Sequence, residues 1–136
     1  MIVQFLLEQW LLVAGLAICL VLLFFHESRR GGRSVTPHQL VALVNGQQAA
    51  VIDLREPAEF RKGHIVDAIN LPFAKLEERW TELESRSDHP IIFVDRMGQH
   101  ASAAGKRAAA KGLKQVYRLG GGIMEWQNAQ LPLVKE

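Results

Sequence analysis

The sequence predicts an α/β layered domain with a mainly parallel central sheet, preceded by one transmembrane helix. Two observations lead there. The 136 residues are 49% apolar and 22% charged, yet 21 of the first 25 side chains are apolar while the remainder of the chain is only about 41% apolar. Beyond residue 34, short apolar runs of strand length alternate with capped or amphipathic helical patterns, the signature of strands joined by crossover helices. The length after the apolar segment suits one compact domain of roughly 100 residues, and a single cysteine excludes a disulfide within the chain.

Gln9 to Phe25 carries no charge, and with Phe5, Leu6 and Leu7 the stretch 5–25 reaches about 20 residues, or roughly 30 Å as a helix. A cleaved signal peptide fits less well: no Lys or Arg precedes the stretch, it exceeds a typical apolar core of about 7–15 residues, and no small-x-small cleavage site follows. The nearby cations Arg29, Arg30 and Arg33 all follow it, which places the N-terminus outside and the domain in the cytoplasm, a reducing compartment. The expected organisation is an anchor and flank over 1–28, held in the lipid bilayer through residues 5–25, a basic glycine-containing linker over 29–34, and the domain over 35–136. From residue 34 on, 13 Lys and Arg face 12 Asp and Glu, so no nucleic-acid surface is expected. Cys19 lies mid-segment, where it acts as a small hydrophobe.

Within the domain, Arg30 to Ser34 reads as a joint, and Thr36-Pro37-His38-Gln39 as a helix start with Thr36 as N-cap. Leu40, Val41 and Val44 share a face until Asn45-Gly46 stops the helix. Ala49 to Leu54 is a strand, Pro57 to Lys62 a short helix broken by Gly63-His64, and Ala68 to Leu71 a second strand closed by Pro72. Leu76, Trp80 and Leu83 mark an amphipathic helix through about Arg86. Ile91 to Val94 is a continuous buried strand. After the aperiodic Asp95 to His100, a helix over Ala101 to Lys111 presents Ala101, Ala104, Gly105 and Ala108, small enough to sit close against a sheet. Val116 to Arg118 and a helix around Ile123 to Asn128 complete the series, with Trp126 read as packing.

Ligands of such sheets bind outside the carboxyl ends of strands. The loop Asp95 to His100 wraps from a strand into a helix N-terminus, gathering N–H groups around one point that suits an anion.

The runs Asp53-Leu54-Arg55-Glu56-Pro57-Ala58-Glu59-Phe60, Gly63-His64-Ile65, Ala68-Ile69-Asn70-Leu71-Pro72 and Gly120-Gly121-Gly122-Ile123-Met124-Glu125-Trp126, with Leu131-Pro132, resemble a single rhodanese-like domain over about 34–134. With its leading apolar helix the chain is similar to inner-membrane-anchored, single-domain bacterial members, which implies the inner membrane as the host bilayer. The resemblance implies three layers around a five-stranded, mainly parallel sheet. In active members it also implies a cysteine that takes sulfane sulfur from a donor such as thiosulfate as a persulfide. Aligned on Gly98, that position is held by Asp95, followed by Arg96, Met97, Gly98, Gln99 and His100 in the active-site-like loop.

Persulfide chemistry needs a soft thiolate, which a carboxylate does not supply. Asp95 is expected to fill the anion cradle with its own oxygens, leaving no catalytic residue in the loop. An aspartyl nucleophile of the phosphoryl-transfer kind would need a cation and further carboxylates, whereas the loop offers Arg96 and His100. Asp53 and Arg55 resemble the family's paired residues at the end of the first strand, where a charge pair or a carboxylate-to-backbone bond is expected to support the loop, and the glycine run with Gly121 is expected to allow close backbone approach. His64 reads as structural, and five histidines without paired spacing suggest no metal; no cofactor is expected. The leading functional reading is a binding or scaffolding module with a protein partner at the membrane, contacted through Arg96, Met97, Gln99 and His100. The alternatives are a thiosulfate-type sulfurtransferase, or another sulfur-handling enzyme, with an unrecognised nucleophile, and a chain whose useful part is the helix face of Gly15 and Cys19.

Overall fold

A computed structural model describes residues 1–30 and 32–135, with side chains described for 1–25 and 32–135. The apolar segment forms one helix, α1 (Ile2–Arg30). Its part Ile2–Phe25 has a mean hydropathy of 2.3 and none of it is buried, so it is long and apolar enough to cross a bilayer.

The remainder folds as β1 (Arg33–Val35), α2 (Pro37–Gln47), β2 (Ala50–Asp53), α3 (Pro57–Lys62), β3 (Ile69–Asn70), a single 3₁₀ turn at Phe73–Lys75, α4 (Trp80–Glu84), β4 (Ile91–Val94), α5 (Gln99–Ala110), β5 (Val116–Leu119) and α6 (Gly122–Asn128). The five strands pair in the order β1-β5-β4-β2-β3, every pairing parallel. The central strand β4 explains its uninterrupted apolar run: both of its faces are covered. Ile91 and Phe93 enter a core with Leu76, Trp80 and Leu83 and with the alanines 101, 104 and 108 of α5. Ile92 and Val94 enter the opposite core with Leu40 of α2, Ile65, and Ile123 and Trp126 of α6. Three layers result, as the resemblance implied.

Where the structure departs from the sequence-based expectations, the cause is local. In place of a joint over 29–34, Arg33 and Ser34 are strand residues paired with Tyr117 and Arg118; a three-residue edge strand with two exposed positions has no apolar pattern by which to be recognised. Gly31 and the side chains of Arg29 and Arg30, also assigned to that joint, lie outside the described residues, as does Glu136 at the end of the expected domain. Helix α2 begins as expected, with Thr36 and Gln39 forming a reciprocal capping box. It then runs through Asn45 and Gly46 to end at Gln48, whose N–H donates to the Leu43 carbonyl from a left-handed conformation; an internal glycine costs only about 1 kcal/mol, and the neighbouring Leu43 and Val44 pack on the core. Leu76, Trp80 and Leu83 are all buried, but only Trp80–Glu84 is α-helical; the residues before it run as turns, and the Arg79 guanidinium, paired with Glu82, also donates to the Asn70 carbonyl at 3.2 Å.

Candidate functional site

Because all strands are parallel, their carboxyl ends meet at one edge of the sheet. There the residues after β2 and β4 line a cavity of about 340 Å³, bounded by Leu54, Arg55, Glu56 and Glu59 on one side, Phe73 and Ala74 on another, and Asp95, Arg96, Met97, Gln99 and His100 on the third.

Asp95 is 4% exposed and directly follows the last residue of β4. Its Oδ1 accepts the Gly98 N–H; its Oδ2 accepts those of His100 at 2.6 Å and Ala101 at 3.2 Å. Gly98 is the residue before α5 and has φ 109° with no side-chain acceptor of its own, so Asp95 caps the helix from three residues upstream. This remote cap satisfies N–H groups that would otherwise lack partners in the first turn and places negative charge at the positive end of the helix dipole. It also explains why α5 starts at Gln99, two residues before the sequence pattern suggested.

The loop is held from below by α6. The Ile123 N–H donates to the Asp95 carbonyl at 2.8 Å and the Met124 N–H to the Arg96 carbonyl at 3.2 Å. Gly122 makes that approach possible: its φ is +62°, and a Cβ there would overlap the Asp95 and Arg96 carbonyl groups. Gly121, singled out from sequence, has φ +75° and its N lies 3.6 Å from where a Gly98 Cβ would stand. Gly122, the closer of the two to the loop, was legible only as one of three consecutive glycines.

At the neighbouring strand end, Asp53 is 1% exposed. Its carboxylate accepts the Arg55 backbone N–H at 3.0 Å and the Arg55 guanidinium Nε and Nη2 at 3.0 and 2.8 Å. Nη2 also donates to the Gly63 carbonyl at 2.7 Å. Asn70, not marked from sequence, closes this corner by donating from Nδ2 to the Asp53 and Arg55 carbonyls. His64 is buried, stacked on Phe60 at 3.8 Å between ring centroids, with Nδ1 2.8 Å from the Phe60 carbonyl. Trp126 donates from Nε1 to the Pro132 carbonyl.

The cavity rim holds the exposed Arg96, Met97, Gln99 and His100. His100 is not free-standing: its ring stacks on Phe73 at 4.7 Å, and Arg107 lies 4.8 Å over the same Phe73 ring. The three residues, separated by up to 34 positions, form an aromatic and cationic wall that no short-range pattern signals. Cys19 lies exposed on α1, outside this constellation.

An open parallel sheet with backbone N–H groups converging at the end of its central strand defines the class of α/β domain to which this fold belongs. The rhodanese-like domain profile matches residues 36–129, and the chain belongs to the rhodanese-like domain family. It is 35% identical over 102 residues to the uncharacterized protein YibN of Escherichia coli K12, covering 74% of this chain and 71% of that one. A sulfurtransferase of Allochromatium vinosum is 30% identical over 92 residues, covering 68% of this chain and 84% of the other. Among solved structures, a rhodanese-related protein from Thermoplasma volcanium superposes with a TM-score of 0.69 at 31% identity, over 76% of this chain and 99% of that one.

Proposed function

We propose that this protein is a membrane-anchored rhodanese-like domain that has given up persulfide chemistry and serves as a binding or scaffolding module at the cytoplasmic membrane face. The observation that carries the reading is the occupied cradle: the Gly98, His100 and Ala101 N–H groups all donate to the Asp95 carboxylate. Sulfur transfer from thiosulfate requires a thiolate at this point to attack the outer sulfur, forming a persulfide as sulfite leaves. A carboxylate oxygen lacks the softness for that attack, and the chain's one thiol, at Cys19, belongs to the apolar helix.

Anchoring is supported by the length and composition of Ile2–Phe25. The cations that follow it at 29, 30 and 33 favour an N-terminus outside and the domain in the cytoplasm. The partner surface is the cavity rim, where Met97 is 58% exposed beside Arg96, Gln99 and His100; an adaptable thioether among polar groups suits a protein contact. Similarity to a protein named a sulfurtransferase favours a second reading, sulfur transfer through another nucleophile.

Thiocyanate formation from thiosulfate and cyanide by the full-length chain in detergent, compared with Asp95→Cys under reducing conditions, separates the two. The native chain is expected to be silent and Asp95→Cys to turn over. Thiosulfate-dependent turnover by the native chain overturns the binding-module reading.

A further inference from the structure

The charges of the domain are segregated. Between Asp53 and Asp95 the chain holds ten acidic and six basic residues. From Arg96 to Met124 it holds six Lys and Arg and no acid, and from 28 to 52 it holds Arg29, Arg30 and Arg33 and no acid. The sheet order converts this into two opposed edges: β1 and β5 come from the basic segments, whereas β3 comes from the acidic one and β2 ends on its first residue, Asp53.

The basic edge is the one that follows α1. Only two residues lie between Arg30 and Arg33, so the three Cα-to-Cα steps span at most about 11 Å. The helix continues five residues past Phe25, adding about 8 Å. Arg33 is thereby held within about 19 Å of the end of the apolar segment, and the headgroup layer fills about 5–8 Å of that distance.

At this corner the structure has a groove of about 310 Å³ whose lining includes Gly32, Arg33, Leu113, Lys114, Gln115 and Tyr117 and no acidic residue. Arg33 and Lys114 are exposed and neither has an ion pair among the described residues. The neighbouring cations are otherwise engaged: Lys111 pairs with Glu77 and lies over Trp80, and Arg107 covers Phe73. The groove therefore joins two cations that are unpaired among the described residues to apolar walls from Leu113 and Tyr117.

We propose that this groove binds the headgroup of an anionic phospholipid in the bilayer that α1 spans, an inference that rests on the anchored topology proposed above. Arg33 and Lys114 take the phosphate, while the acidic edge of the domain is held away from the negatively charged surface. The parallel register then fixes where the Asp95 cavity points. Arg33 is level with Tyr117, and Tyr117 with Ile92, so Asp95 stands three residues, or about 10 Å, further along the strand direction. The cavity opens at the end of the sheet opposite the groove, and a partner reaching Met97 and His100 approaches from the aqueous side.

The test uses the full chain in nanodiscs, with Cys19→Ser and a fluorophore on Gln115→Cys, and lipids that carry a quencher on the headgroup. Adding about 30% phosphatidylglycerol to phosphatidylcholine is expected to deepen quenching at 115 about twofold, with salt reversing the gain. Arg33→Gln with Lys114→Gln is expected to abolish the gain, and a label on Glu59→Cys, at the cavity, to remain unquenched. Equal quenching in the two bilayers, or an undiminished gain in the double variant, overturns the proposal. So does release of the 115 label by inorganic phosphate at matched ionic strength, which would assign the groove to the free ion. Extraction of the unlabelled chain from membranes by alkaline carbonate would instead overturn the anchor itself; retention of the chain without the lipid-dependent gain would overturn the groove alone.

Discussion

Two buried carboxylates stand at the ends of adjacent strands, and they are neutralised in opposite ways. Asp53 meets a guanidinium: Arg55, with a side chain 10% exposed, pairs with it at 2.8 Å. Asp95 has no ion pair among the described residues and is held by three backbone N–H groups at a helix start. The first arrangement is made by side chains, so it disappears with either partner. The second is made by the course of the backbone and is expected to outlast the side chain it holds. A cradle of that kind is what a rhodanese-like loop offers an anion, and here the chain supplies the anion itself.

The largest expected effect breaks the side-chain half of this comparison. Asp53→Ala leaves the Arg55 guanidinium largely buried without its counter-ion, and a loss of about 3–5 kcal/mol in chemical denaturation is expected. Arg55→Ala is expected to cost a similar amount, since it strands the carboxylate instead. Next comes the backbone that supports the cradle. Gly122→Ala forces a Cβ into the Asp95 and Arg96 carbonyls at φ +62°, and about 2–4 kcal/mol should be lost, with hydrogen exchange accelerating at Ile123 and Met124. Asp95→Ala sits lower, at about 1–3 kcal/mol, because water or another anion can take the place of the carboxylate while the N–H groups remain where the fold puts them.

The smallest effect lies on the surface and is read as a pH dependence. The hydrogen bond from Lys111 holds the Glu77 carboxyl below its usual 4.5; desolvation opposes it, and the charges of Lys111 and Arg107 add smaller lowering contributions. A carboxyl whose pKa is lowered on folding stabilises the fold above its unfolded value and loses that contribution as pH falls through the folded one. Lys111→Met should therefore show a slightly lower urea midpoint than the native chain at neutral pH, and the difference should vanish well below pH 4.5. A difference that persisted in acid would assign it to the contact of Lys111 with Trp80.

The same comparison explains what the sequence made legible. Asp53-Leu54-Arg55 are close in the chain, and a pair two residues apart at a strand end can be anticipated from local chemistry. The capping of α5 by Asp95 could be anticipated too, since loop and helix are contiguous. Strand β1 could not, because Arg33 and Ser34 are exposed edge residues whose assignment depends on Tyr117 and Arg118. The Phe73–His100–Arg107 wall and the contact of Asn70 with the Asp53 corner were hidden for a related reason: each joins residues more than a dozen positions apart, and none of the side chains is unusual in its own segment. The groove at Arg33 and Lys114 joins the two ends of the same long-range pairing, β1 with β5.

The most direct test of the occupied cradle is an isothermal titration of thiosulfate into the full-length native chain and into Asp95→Ala, in the same detergent. The native chain should give no binding heat, and Asp95→Ala should give saturable binding as thiosulfate oxygens take the N–H groups of Gly98, His100 and Ala101. Equal binding by both proteins would contradict the account, because it would mean that the anion site of this domain lies elsewhere than at Asp95.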